Sequence, residues 1–114
     1  EVKWSELAEY DYVAVAKGSG NRMLIDLALA DTPLSLRWFC EVQHVPSLVS
    51  LVEAGVGIGV VPKLGMPRSG HATLISVPLI EPAISRRLGL ITRRGRALPA
   101  AAQLFYDFLL QSRL

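Results

Sequence analysis

Any chemistry in this chain must come from a short roster of side chains. The two histidines, His44 and His71, stand far apart, with no cysteine or carboxylate at metal-ligand spacing around either. Cys40 is the only cysteine and alternates with Trp38 in an apolar pattern, so it reads as a small core residue rather than a nucleophile. No serine sits in a G-x-S-x-G elbow. The carboxylates are scattered singly, which leaves no acid–base pair to argue for. Gly55, Gly57 and Gly59 could suggest a dinucleotide loop, but that loop needs G-x-G-x-x-G after a strand and before a helix. Spacing and order are both wrong, and the three glycines read as places where a helix and a strand pack closely. Arg86, Arg87, Arg93, Arg94 and Arg96 put five arginines within eleven residues, a pattern able to hold phosphate. No aromatic residues are interleaved for base stacking, so a solvated strand and turn, or a surface for carboxylates, is the better reading. No enzyme, metal or cofactor is expected.

Two loops carry a different chemistry. Lys17 to Arg22 and Gln43 to Ser47 each follow an expected strand and lead into an expected helix, and both combine small residues with hydrogen-bond donors. In a parallel sheet, ligands bind beyond the carboxyl ends of the strands, where such loops lead into helix N-termini that favour anions. Ser19, Asn21 and Ser47 can equally be helix caps; the two roles are compatible.

The elements that would position these loops follow in order. Trp4 and Leu7 among polar residues suggest a helical turn within Val2 to Glu9. Tyr12 to Ala16 is a near-continuous apolar run, as expected of a buried parallel strand. A helix from about Asn21 places Leu24, Leu27 and Ala28 on one face and stops at Asp31-Thr32-Pro33. Leu36, Trp38, Cys40 and Val42 alternate with polar or outward residues, predicting a strand with one apolar face. Leu48, Leu51 and Val52 then fall at i, i+3 and i+4, with Pro46 suited to a first helical turn and Gly55 to a left-handed helix end. Ile58, Val60 and Val61 form a short buried strand closed by Pro62. Tyr12–Ala16 and Gly57–Val61 are expected at the centre of the sheet. Further strands are expected at Leu74 to Leu79 and Leu88 to Thr92. The last helix has Ala101, Leu104, Phe105, Phe108 and Leu109 on one stripe, which should be buried.

Composition sets the frame. A chain of 114 residues, 51% hydrophobic with net charge +2, suits one globular α/β domain with a real core. No apolar run approaches the roughly 20 residues that span a bilayer. The polar Glu1 to Leu7 does not read as a signal peptide, and a lone cysteine fits a reducing compartment, so a cytoplasmic address is expected.

The stretch LVEAGVGIGVVP, Leu51 to Pro62, resembles the signature of the sensor domain of LysR-type transcriptional regulators. The similarity continues through WSELAEYDYVAVAKGSG before it and VPLIEPAISRRLGLITRRGRALPAAAQLFYDFL after it, in the family's order. The resemblance implies a mostly parallel sheet flanked by helices, one lobe of a periplasmic-binding-protein-like (type 2) fold. Residues 1–85 would be the second subdomain of the effector-binding region. Residues 86–114 would be the return strand and C-terminal helix, the two forming one compact unit. It also implies a small-molecule effector and a homo-oligomer. The helix N-termini favour an anion, such as a carboxylate, and the lengths of the apolar runs give no reason to expect a membrane partner. DNA would be bound only through an N-terminal domain that has no counterpart here. The family's effector-facing loops fall on Lys17, Gly18, Ser19, Gly20 and Asn21, and on Gln43, His44, Val45, Pro46 and Ser47. In one departure, Leu98 stands where the family often has a serine before the proline that opens the final helix. A stand-alone solute-binding domain for a small anionic metabolite is the second reading, and an enzyme on this scaffold ranks third.

Overall fold

The computed structural model describes residues 1–67 and 70–112. Its centre is β2 (Tyr12–Val15), whose four residues are all buried, as its unbroken apolar run requires. Strand β2 pairs in parallel with β3 (Trp38–Val42) on one side and β4 (Ile58–Gly59) on the other, giving the order β3-β2-β4. Helix α1 (Gly20–Leu29) connects β2 to β3, and α2 (Val45–Glu53) connects β3 to β4. Two parallel strand–helix–strand units result, and the chain is α/β.

The two helices lie on opposite faces of the sheet. On one face Tyr12 and Ala14 pack with Ile25 of α1, Leu36, and Trp4 and Leu7 of the 3₁₀ turn Trp4–Glu9. On the other, Val13 and Val15 pack with Leu48 of α2, backed by Cys40, Val42, Leu51 and Val52. Successive residues of β2 serve alternate faces because strand side chains alternate. The N-terminal strand β1 (Val2–Lys3) forms a separate parallel pair with β5 (Leu79–Ile80). That pairing is fastened by Trp4 Nε1 donating to the Pro82 carbonyl at 2.9 Å and by a Lys3–Glu81 ion pair at 2.8 Å.

The glycines of Leu51 to Pro62 act by close packing, as the sequence suggests. Gly55 has φ +80°, and the turn closes with Gly55 N–H on the Val52 carbonyl and Val56 N–H on the Leu51 carbonyl. That pair of bonds satisfies the last carbonyls of α2. A Cβ on Gly59 would collide with the Leu48 side chain, and one on Gly57 with the Asp11 carbonyl.

Several expectations are corrected. The alternation of Leu36, Trp38, Cys40 and Val42 does not make one face. Tyr12 pairs with Trp38 but Val13 pairs with Cys40, so Phe39 is an extra residue, and this bulge turns Trp38 to the α1 face while Cys40 and Val42 meet α2. On α1 the buried positions are Arg22 and Ile25, whereas Leu27 is exposed. Strand β4 is half-buried and lies at the edge of its sheet rather than its centre, because no described segment pairs beyond it. The apolar run from Leu74 contributes only Leu79 and Ile80 to a strand, and Leu88 to Thr92 forms none. An apolar run becomes a strand only where a neighbour accepts its hydrogen bonds.

The last helix, α3 (Ala100–Gln111), forms where its periodicity placed it, but its stripe is not buried. Leu104, Phe105 and Phe108 are 72%, 62% and 64% exposed. Its N-cap is Pro99, with no side-chain hydrogen bond, in keeping with the missing serine. The Cα radius of gyration is 17.2 Å, against about 13 Å for a compact chain of this length. That excess accords with a C-terminal segment standing off the core.

These contrasts give a direct stability test. Leu48→Ala empties a sealed site and should cost about 2–5 kcal/mol in denaturant unfolding. Phe108→Ala in this same chain should cost less than about 1 kcal/mol. A loss at Phe108 equal to that at Leu48 would show that α3 is packed in solution.

Candidate functional site: the carboxyl edge of β2 and β3

Because β2 and β3 are parallel neighbours, their carboxyl ends lie side by side. Val15 pairs with Val42, and the Ala16 N–H donates to the Val42 carbonyl at 2.8 Å. The two loops singled out in the sequence therefore leave the sheet from adjacent positions. They then diverge, one into α1 on one face and the other into α2 on the opposite face. Divergence of this kind leaves an open edge between helix N-termini, the place where open α/β sheets hold ligands.

In the first loop, Lys17, Gly18 and Gly20 are exposed and Ser19 and Asn21 half-buried. Ser19 is the N-cap of α1: its hydroxyl oxygen accepts from the Arg22 N–H at 3.1 Å. The N–H groups of Gly20 and Asn21 find no acceptor among the described residues. In the second loop, Gln43, His44, Pro46 and Ser47 are exposed and Val45 is half-buried. His44 is the N-cap of α2 and makes no side-chain capping bond. Ser47 lies inside the first turn, so its expected role as a cap is corrected. Its N–H and that of Val45 are likewise without acceptors among the described residues. Each loop thus presents unpaired backbone donors at a helix N-terminus.

One group bearing on this edge belongs, in the sequence, to the cluster of five arginines between Arg86 and Arg96. The Arg86 guanidinium stands over Gly20, so near that a Cβ there would lie 3.7 Å from Nη1. Arg86 forms no ion pair among the described residues. A cation beside the positive end of a helix is electrostatically unfavourable unless an anion joins them.

A second group, Arg22, closes the first loop in the sequence, where nothing marks it as buried. It sits in the first turn of α1 at 4% exposure, with its head turned to the end of β2. Nε donates to Asp26 Oδ1 at 2.7 Å, and Nη1 donates to the Val15 carbonyl at 3.3 Å and reaches Glu41 Oε2 at 3.5 Å. The guanidinium carbon stands 3.2 Å from the centroid of the Trp38 ring, which meets Tyr12 edge-on at 6.1 Å. Burial pushes the Tyr12 hydroxyl up to about 12, opposed by the Arg22 charge. Arg22 thereby joins the end of β2, two side chains of β3 and the body of α1. The signal available in the sequence was slight: an arginine at i, i+3 and i+7 with Ile25 and Leu29.

His71 lies 3.8 Å from Glu53 and lines a shallow concavity with Val45 and Pro46 of the second loop. No three ligating side chains among the described residues converge on a metal position.

The whole-chain comparison decides the family. Residues 1–113 match the model of the LysR substrate binding domain. The chain belongs to that family. It is 45% identical over 109 residues, 96% of its length, to the uncharacterized HTH-type transcriptional regulator YbhD of Escherichia coli strain K12. It is 35% identical over 106 residues, 93% of its length, to the uncharacterized HTH-type transcriptional regulator YfeR of Shigella flexneri. The HTH-type transcriptional regulator CbbR of Sinorhizobium medicae is 27% identical over 114 residues, 98% of the chain. These matches cover 34%, 34% and 36% of the relatives, so this LysR substrate binding domain chain spans about a third of their length.

The Arg22 network generates a prediction. Arg22→Met keeps most of the apolar stem but removes the charged bonds and the contact with the Trp38 ring. It should cost roughly 2–4 kcal/mol, measured by denaturant unfolding. Arg22→Lys should recover less than half of that, because an ammonium cannot reproduce the planar fork. Full recovery by lysine would show that charge alone matters there.

Proposed function

We propose that this chain is the second lobe of the effector-sensing region of a LysR-type transcriptional regulator, with a periplasmic-binding-protein-like (type 2) architecture. Residues 1–85 form the lobe, and residues 86–114 are the segment that returns towards a first lobe. The effector is a small anion, with carboxylates the leading class. It lies at the carboxyl edge of β2 and β3, against Lys17 to Asn21 and Gln43 to Ser47. DNA is bound by the remainder of the longer polypeptide, which works as a homo-oligomer in the cytoplasm.

The observation that carries this reading is the placement of Arg86. It stands beside Gly20 at the N-terminus of α1, with no carboxylate paired to it among the described residues, where an anion would satisfy both cation and helix end. The names of the relatives favour a regulator over a transport protein. No helix among the described residues is long and apolar enough to cross a membrane.

Calorimetry with a panel of small carboxylates on the full-length regulator and on this chain tests the proposal. Full-length protein should bind one member saturably. Arg86→Gln should weaken it at least tenfold, about 1.4 kcal/mol. This chain alone should bind weakly or not at all, since a pocket normally buries most of its ligand and half the wall is absent. Sub-micromolar binding to the chain alone would overturn the split-cleft arrangement. Unchanged affinity in Arg86→Gln would remove the anion bridge.

A further inference from the structure

A second concavity lies away from the carboxyl edge. A cleft of about 250 Å³ opens between α1 and the start of β3, lined among others by Tyr12, Arg22, Ile25, Asp26, Leu29 and Trp38. Tyr12 is the first residue of β2, at the opposite end of that strand from the residue that enters the Lys17 to Asn21 loop.

Tyr12 is 1% exposed, and its hydroxyl makes no hydrogen bond to any described group. No side-chain oxygen among the described residues is sealed off without a partner. The sliver of surface that Tyr12 retains therefore includes the hydroxyl, and it opens into the cleft that Tyr12 lines. A phenol can donate one hydrogen bond and accept others. This one is buried, polar and unused.

Its surroundings select the partner. Arg22 supplies one positive charge, already engaged by two carboxylates, Asp26 at 2.7 Å and Glu41 at 3.5 Å. The local balance is one negative charge in excess. Only Oδ1 of Asp26 is taken by Arg22, and the side chain is 50% exposed, so its second oxygen is open to a donor. One face of the Trp38 ring is covered by the Arg22 guanidinium, and Ile25, Leu29, Ala30, Leu34 and Leu36 supply the aliphatic part of the wall. Burial and the neighbouring carboxylate push the Tyr12 hydroxyl up to about 12, so it stays protonated at neutral pH. An anion would meet the carboxylate excess. A neutral alcohol would satisfy the hydroxyl and leave that charge unanswered.

We propose that this cleft is a binding site for a small primary ammonium compound, distinct from the anionic effector site. The ammonium donates to the free oxygen of Asp26 and to Tyr12 Oη, and its hydrocarbon part lies along Ile25 and Leu29.

The test uses this chain labelled for amide NMR and titrated with n-butylammonium, n-butanol and butyrate. n-Butylammonium should give saturable shifts confined to residues around Tyr12, Ile25, Asp26 and Trp38, with a millimolar dissociation constant. n-Butanol should bind at least tenfold more weakly and butyrate should give no saturable shift. Asp26→Asn should weaken n-butylammonium at least tenfold. Because that change also disturbs Arg22, Tyr12→Phe is the second variant. It leaves the ion pairs in place and should weaken binding several-fold, with the amide spectrum outside the cleft unaltered. Absence of saturation at tens of millimolar would overturn the proposal. So would equal binding of ammonium and alcohol, unchanged affinity in Tyr12→Phe, or shifts centred on Lys17 to Asn21.

Discussion

A guanidinium buried beneath a strand end is the constraint on which the carboxyl edge of β2 and β3 depends. Burying an unpaired charge costs several kcal/mol, and Arg22 is tolerated inside only because its partners come from three elements at once. Those partners are the Val15 carbonyl at the end of β2, Trp38 and Glu41 on β3, and Asp26 one turn further along α1. None of these elements can move without exposing a charge or orphaning a buried carbonyl. The bulge at Phe39 belongs to the same arrangement. In a regular strand, residues three apart point to opposite faces. The extra residue brings Trp38 and Glu41 to the same face, so that one lies over the guanidinium and the other reaches its edge. The N-terminus of α1 is thus held at a set height above the sheet, and with it the loop from Lys17 to Asn21.

The opposite face is organised by close approach rather than by charge. Gly59 lets β4 come up against Leu48, and Gly57 lets the chain pass the Asp11 carbonyl. The left-handed turn at Gly55 closes the end of α2 and reverses the chain within two residues. Helix α2 is therefore pressed onto Val13 and Val15, and its N-terminus stands at the same edge as that of α1. Two unlike mechanisms, a buried ionic clamp and a glycine-lined contact, place two donor-bearing loops side by side.

Much of this was legible in the residues. Apolar runs separated by helical periodicity gave β2, α1, β3, α2 and β4 in order, and a parallel sheet then requires the two loops to share an edge. Gly55, Gly57 and Gly59 were readable because no side chain could replace their missing ones. Arg22 was not readable: an arginine among polar residues at a helix start looks solvated, and only the fold supplies Glu41 and Trp38 to receive it. The bulge was hidden because Leu36 to Val42 alternates without a flaw, and alternation does not register one inserted residue. Leu88 to Thr92 and the stripe of α3 misled for another reason. Their apolar character reports that they are covered in some setting, but not that this chain contains the cover. Arg86 falls between these cases, since its cluster was visible while its approach to Gly20 depends on a chain path that leaves no local trace.

The central claim is that Arg22 sets the geometry of the β2–α1 edge, and native-state amide hydrogen exchange on the Arg22→Met variant tests it most directly. A local effect is predicted: the hydrogen-bonded amides of Ala16, Ser19, Arg22 and Met23, and those of β3 facing β2, should lose protection by more than the loss of global stability accounts for. The amides of α2 that pack through Leu48 should fall only by that global amount. A uniform loss across both faces, or unchanged protection around Ser19 and Arg22, would contradict it. Either result would mean that the edge is held by the sheet alone.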